Sequence, residues 1–412
     1  MAKIKAFKAV RPAQELAEKI AALPYDVYNR EEAAEKVKGD NYSFLRIDRP
    51  ETQFSPDADM YAPEVYAKAS EMLDEMEKKG EFVQDQTECL YIYELTMDGR
   101  TQTGLVACSS VDDYINDVVK KHENTRKEKE ADRIRHVDIC SAQTGPIFLA
   151  YRGRRVINDI IRAYKENTPA ADFTSDDGIT HRVWVIDDPD VIKLLIIEFD
   201  KLPHTYIADG HHRAASAVAV SKMRREKYPE YTGEEEFNYF LSVLFPEDEL
   251  KIMDYNRVLK TMNGHTHEEL LELIGEKFEI EESAGIYAPK EKGEVGFLLG
   301  NKWYALKARK EFVKDDPVEA LDVAFLQREI LTPVFGIDDP TRSNDIDFVG
   351  GIRGLGELER RCQEDCAAAF AMFPTDIREL FAVADADMLM PPKSTWFEPK
   401  LRSGLFIHRI ER

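Results

Sequence analysis

A short apolar run, residues 204–208, ends in Asp209-Gly210 and passes through His211-His212-Arg213 into a helix-like stretch, 214–225. No other part of the chain restricts the fold as tightly. A strand that hands over to a helix through one glycine must turn sharply, and the turn gathers the helix's first N–H groups and positive dipole end at one point, an anion site. Gly210 gives the backbone its freedom and lets a ligand come close. Arg213 can grip a phosphate by two parallel hydrogen bonds, His211 and His212 can donate, accept or move protons, and Asp209 can hold Mg²⁺ or orient a histidine. The alternative is structural: Asp209 as helix cap, one histidine packed in the core, and Arg213 in a surface pair.

Around this turn, helical and extended periodicities are interleaved. Helices are predicted over 12–23, with Leu16, Ile20 and Leu23 on one face, and over 63–79, stopping at Gly80. A strand is predicted at 43–47, and two more at 90–95 and 104–109 about a turn at 97–100. A charged helix over 112–136 follows, then a strand at 146–151, a helix at 156–165, a strand at 181–186, a helix at 190–199 and a strand at 239–245. Thr266 and Glu269 form a capping box opening a helix to 278, and a hairpin surrounds Gly300-Asn301. The pattern is α+β (mixed α/β). Four segments are expected: an N-terminal α+β region, 1–110; a core with the turn, 111–260; a small inserted α+β domain, 261–330; and a C-terminal region closing on the core, 331–412.

Charge limits what could bind. The 412 residues carry 78 Asp or Glu against 56 Lys or Arg, a net −22, which opposes binding to a nucleic-acid polyanion. Five scattered cysteines point to a reducing, cytoplasmic address. The run 191–197 is broken by Lys193 and too short to span a bilayer, and residues 1–11 have no signal-peptide core, so no membrane partner is expected.

Two segments reverse the overall sign. Residues 120–136 hold seven Lys or Arg against four acids. Within them Lys121, His122 and Thr125 are phosphate-binding candidates. Glu123, kept ionised by its cationic neighbours, is a candidate general base or metal ligand; a solvated helix face laced with i,i+4 pairs is the alternative. Residues 393–412 hold five Lys or Arg against two acids, with Lys393, Ser394, Thr395 and Lys400 as phosphate-binding candidates, or else an ordered strap. Cys362 and Cys366 lack the further ligands of a zinc site. The glycine-rich stretch 350–356 fits neither the dinucleotide nor the P-loop pattern.

Pro24-Tyr25-Asp26-Val27, Lys121-His122-Glu123-x-Thr125, Asp209-Gly210-His211-His212-Arg213 and Pro392-Lys393-Ser394-Thr395-x-Phe397-x-Pro399-Lys400-Leu401-x-x-Gly404 together resemble the family known as domain of unknown function 1015. That family is often labelled SpoOJ/ParA/ParB/RepB-like. The resemblance spans residues 7–410. More remotely, the turn is similar to the phosphate motif of the ParB and sulfiredoxin superfamily, which includes free-serine kinases. The resemblance implies a ParB/sulfiredoxin-like core with additional α+β elements and phosphoryl transfer on serine or O-phospho-L-serine, in a family often encoded beside genes of phosphorylated serine biosynthesis. It also implies Asp209–Arg213 as phosphate cradle and Glu123 or Asp26 as the catalytic carboxylate. A partition protein would need a DNA-binding helix-turn-helix and a basic surface, and neither is visible.

The leading expectation is a phosphoserine phosphatase. In that reading His211 or His212 protonates the leaving serine oxygen or acts as nucleophile, Glu123 or Asp26 activates water, and Asp209 or Glu123 holds Mg²⁺. The alternatives are a serine kinase using ADP or ATP and a non-enzymatic nucleotide or metabolite sensor. The expected partner is one small phosphorylated metabolite, with a homodimer among the oligomeric states left open.

Overall fold

A computed structural model describes residues 1–411, and its contacts gather the chain into two units. Residues 1–250 and the segment from Pro399 onward form the first, and Lys251–Glu398 the second. It is a mixed α/β fold with several sheets.

The first unit is built on a nine-stranded sheet. Its strands are β1 (Ile4–Lys5), β2 (Leu90–Met97), β3 (Arg100–Ser110), β4 (Val119–Lys120), β5 (Ile147–Tyr151), β6 (Ala171–Thr174), β7 (Thr180–Ile186), β8 (Thr205–Asp209) and β9 (Tyr239–Pro246). They run β4-β8-β5-β9-β3-β2-β7-β6, with β1 against β3. β4 lies parallel to β8 and β5 parallel to β9; the remaining pairs are antiparallel. Asp98 (φ 51°) and Gly99 (φ 76°) close the β2–β3 hairpin, both left-handed as a twist-matched two-residue turn requires.

Both sheet faces are covered, which explains strands that read as continuous apolar runs. Leu90 and Ile92 of β2 join a core with Leu149, Ile207 and Phe240, against Ile157 of α3 (Arg155–Tyr164), Leu195 and Phe199 of α4 (Pro189–Asp200) and Ala214 of α5 (His211–Lys227). The alternate residues Tyr91 and Tyr93 face the other way and meet Phe406 of the C-terminal segment. The two remaining long helices are α1 (Pro63–Lys78), whose expected stripe Val65, Ala69, Met72, Leu73 and Met76 is buried, and α2 (Lys127–Cys140).

Three local expectations change. Residues 43–47 are not a strand: Asp40 Oδ1 accepts from the Tyr42 and Ser43 amides at 2.8 and 3.0 Å, and the turn leads into a short helix, Leu45–Asp48. A short apolar run alone does not distinguish the two states. The helix expected over 112–136 is broken. Val111–Ile115 is helical, Asp117 turns left-handed at φ 55°, β4 pairs with β8, and α2 starts only at Lys127. The helix over 12–23 shrinks to Gln14–Leu16 and Ala17–Ile20, because Val10–Pro12 pairs with Phe82–Gln84 instead.

The second unit carries a six-stranded antiparallel sheet. Its strands are β10 (Tyr255–Leu259), β11 (Phe278–Ser283), β12 (Glu294–Leu299), β13 (Lys302–Ala308), β14 (Ile346–Gly350) and β15 (Ala368–Met372), in the order β11-β13-β12-β15-β10-β14. Segments 261–330 and 331–398, expected apart, therefore contribute strands to one sheet. The Thr266–Glu269 capping box is present and opens a helix at His267–Gly275. The two ends of this unit are paired with each other, Ile252–Met253 antiparallel to Trp396–Phe397. Among the described residues no helix is long and apolar enough to cross a membrane.

Candidate functional site

β8 ends at Asp209, Gly210 turns at φ +94°, and α5 begins at His211 with no side-chain hydrogen bond capping it. The turn therefore offers its leading amides and the positive end of a 17-residue helix to an anion. Arg213 folds back over it. A Cβ added at Gly210 would lie 3.0 Å from Arg213 Nε, so glycine is required both for φ and for this close approach. Arg213 also donates to the Pro146 carbonyl and lies 3.6 Å from Asp209. Lys400 Nζ reaches Asp209 Oδ2 at 3.4 Å. Burial alone would raise the Asp209 carboxyl, but Lys400 and then Arg213 hold it below its ordinary value, so it is a carboxylate at neutral pH and cannot serve there as an acid.

Beside the turn sit two buried imidazoles, His122 and His211, edge to face at 4.6 Å. His122 is hydrogen-bonded to the Ile207 backbone, and burial brings it down to about 4. Burial, then the neighbouring His122, also pushes His211 well down. Among the described residues neither His122 Nδ1 nor His211 Nε2 has a hydrogen-bond partner. His211 Nδ1 lies 3.7 Å from Glu123 Oε2, and the Glu123 side chain is 48% exposed. A carboxylate at Nδ1 favours the imidazole proton there.

His212 is tied to the preceding loop, its Nε2 accepting from the Arg126 amide at 2.9 Å. Burial lowers it, then Lys129, while the field of Asp26 works the other way. Asp26 itself is exposed. Lys121 pairs with Asp117 at 3.1 Å and lies over the Tyr114 ring, and Thr125 donates to Glu130 at 2.8 Å. Residues 121–126 are thus a loop laid against the turn, not the helix face on which i,i+4 pairs were considered.

A cleft of about 430 Å³, open solvent included, adjoins the turn and shares Arg213 with it; Tyr25, Asp48, Arg133, Thr144, Gly145 and Ser403 also line it. The Tyr25 ring lies under the Arg133 guanidinium at 4.2 Å. Arg133 is anchored on Asp132 at 2.9 Å, and Asp48 accepts from Thr144 Oγ1 at 2.9 Å. Arg49, paired with Glu51, donates to the Tyr25 and Tyr28 carbonyls and so fixes the Pro24–Tyr28 loop. Sequence reasoning named neither Tyr25 nor Arg133 as a site residue, although Tyr25 lies inside a motif and Arg133 inside the cationic segment. Gly145 and Thr144 carried no signal, because only the fold brings them to Arg213.

Lys393, Ser394 and Thr395 belong to the second unit. There Arg257 donates to the Lys393 carbonyl at 3.0 Å, Lys393 Nζ lies over the Tyr255 ring, and Thr375 Oγ1 donates to the Ser394 carbonyl. Of the tail candidates, the structure brings Lys400 to the turn. Among the described residues no three His, Cys, Asp or Glu side chains converge as a metal cage. Asp209 is paired with Lys400 at 3.4 Å and with Arg213 at 3.6 Å.

No curated protein matches the chain. Among solved structures, a free serine kinase in complex with AMP is 16% identical, with 74% of this chain and 91% of that chain covered and a TM-score of 0.34. A mutant free serine kinase in complex with ADP gives 15%, 74%, 93% and 0.35. SbnI with C-terminal truncation, from Staphylococcus aureus, gives 10%, 71%, 82% and 0.37. Residues 4–324 match the family described as "Protein of unknown function (DUF1015)", and the chain belongs to that family.

Proposed function

We propose that this protein is a phosphotransferase that moves a phosphoryl group between a nucleotide and the hydroxyl of a small metabolite. The observation that carries the reading is the start of α5, uncapped by any side chain and covered by Arg213, with Lys400 and the Glu123–His211 pair close by. Phosphoryl transfer needs in-line positioning and neutralisation of the transferring group more than covalent help. In this reading Arg213, Lys400 and the amides after Gly210 hold the phosphate. Glu123, the exposed member of its pair, takes the hydroxyl proton, and His211 Nδ1–H positions it.

The histidines separate transfer from hydrolysis. His122, His211 and His212 are all pushed below the ordinary imidazole value, so none is poised to protonate a departing serine oxygen at neutral pH. Hydrolysis of phosphoserine would need such an acid from the start, whereas in transfer Glu123 takes the hydroxyl proton and, in reverse, returns it. This supports a kinase over a phosphatase. The motif resemblance makes serine the first acceptor to test.

The test supplies purified protein with serine and ATP or ADP, and with phosphoserine with and without ADP, and follows products by phosphorus NMR. Nucleotide-dependent formation or consumption of phosphoserine is the expected result. Phosphate release without nucleotide would assign hydrolysis. Nucleotide or phosphoserine binding without turnover across a panel of small hydroxyl compounds would assign a sensor.

A further inference from the structure

We propose that the second unit contains its own ligand site, in which the Arg257 guanidinium receives the oxyanion head, carboxylate or phosphate, of a small metabolite. This goes beyond the phosphotransferase reading and does not depend on it.

Four arginines are buried among the described residues. Arg49 is paired with Glu51, Arg133 with Asp132 and Arg402 with Asp177. Arg257, on β10 and 3% exposed, has no carboxylate partner among the described residues. Its hydrogen bonds go to two backbone carbonyls, those of Tyr255 and Lys393, and its guanidinium lies 5.5 Å from the Phe348 ring centre. A guanidinium has about five N–H donors, and these two carbonyls are its hydrogen-bond acceptors. Burial lowers the group to about 10. An uncompensated buried charge is costly, and an arriving anion removes that cost.

Arg257 also lines a cavity of about 250 Å³ with Gln327, Phe348, Pro391 and Pro392, just under the range of drug-sized sites and so suited to a small metabolite. Its wall is held rigidly. Ser394 Oγ donates to the Pro391 carbonyl, and Lys393 sits left-handed at φ 60° with its carbonyl on Arg257. A lysine rarely adopts that conformation unless its surroundings impose it. Gln327 opens a π-helical turn, Gln327–Leu331, a local form frequent at functional sites. Asp338 and Asp339 also line the cavity and are exposed; Asp339 already accepts from Thr341 and lies 3.4 Å from Arg342. Carboxylates on the exposed side repel a second anionic group, so the site suits a ligand with one such head. It also gives a role to Pro391–Ser394, a motif segment that the turn does not use.

Thermal unfolding of the full chain, titrated with inorganic phosphate and separately with acetate, tests this. The background is Arg213→Gln, which weakens the grip of the turn, and the Arg257 variants below decide whether any remaining response is the second unit's. At least one anion should raise the midpoint, and the anion that does so identifies the head group. Adding Arg257→Met should weaken the response at least ~10-fold, the scale of losing a charge-assisted contact, and leave the ion-free midpoint equal or higher. Pro392→Glu, which puts a carboxylate on the cavity wall while keeping Arg257, should also lose the response, so a misfolded Arg257 variant does not end the test. Absence of any response in the Arg213→Gln background overturns the proposal. So does an unchanged response in either variant, or an Arg257→Met protein that is less stable without anion yet responds fully. Phosphotransfer by the wild-type chain stands or falls separately.

Discussion

His122 and His211 beside the turn, and His181 on β7, are equally deep in the first unit, and burial is the largest cause pushing all three down. They differ in what their nitrogens touch. His181 Nδ1 meets Tyr93 Oη at 2.8 Å, and its Nε2 faces Arg402 Nε at 3.3 Å, inside a stack of aromatic rings. His122 and His211 each keep a buried nitrogen without a partner, next to a carboxylate and a helix start. Burial by itself therefore does not distinguish the two environments; what the buried nitrogens touch does.

The difference can be broken most sharply by mutation. Arg213→Ala and Glu123→Gln should each lower turnover by ~100-fold or more while the protein stays folded, the scale of losing a transition-state donor or a general base. His181→Phe should leave turnover per folded molecule within about 3-fold and lower the unfolding midpoint, because Tyr93 and Arg402 lose a buried partner at about 1–3 kcal/mol. Steady-state rates paired with thermal melts decide it. If His181→Phe abolishes turnover, or Arg213→Ala does not reduce it, the contrast is wrong.

Acid should act next. His122 falls to about 4 and His181 to about 3 in the folded chain, against ~6.5 when unfolded. The unfolded chain thus binds protons first as pH drops. Each group's contribution is fully present above pH ~6.5 and is lost on the way down to its folded value, on the order of 3 kcal/mol for His122 and 5 kcal/mol for His181. Urea unfolding at pH 7 and pH 5 should show the loss, and His181→Phe should flatten its own share. A stability independent of pH across that window would contradict the burial of these imidazoles.

Smaller effects sharpen the same contrast at glycines. Gly210 and Gly404 are both left-handed, at φ 94° and 81°. A Cβ at 210 would meet Arg213, whereas one at 404 would meet the Phe44 ring at 2.5 Å. Gly210→Ala should weaken phosphate or nucleotide binding ~10-fold with a cost of about 1–2 kcal/mol for the left-handed residue. Gly404→Ala should cost more stability and leave affinity unchanged in the protein that remains folded. Titration calorimetry against melts measures the two separately. The smallest change is expected from Lys121→Ala, within about 3-fold in rate, since Lys121 is spent on Asp117 and Tyr114.

Much of the turn was legible because its parts are adjacent in the chain. Strand, Gly210, Arg213 and helix follow one another, and local chemistry dictates their geometry. Hairpin β2–β3 and the Thr266 cap were legible for the same reason. The loop at 121–126 was not, because its charged residues mimic a helix and only the pairing of β4 with β8 breaks it. Nor could sequence divide the tail: Lys400 goes to Asp209 while Lys393, seven positions earlier, is packed on Tyr255. The downshift of the histidines, which turns the reading from hydrolysis toward transfer, depends on burial that no spacing reveals.

The pairing of Ile252–Met253 with Trp396–Phe397 bears on how the first unit is completed. Lys400, Ser403 and Phe406 are made only after the whole second unit has been synthesised. Closing so long a loop would cost the first unit conformational entropy, growing with the logarithm of its length. Once the second unit folds, its own ends are clasped and that span is already closed. Completion of the Asp209–Arg213 turn then awaits a short chain end instead of a distant one.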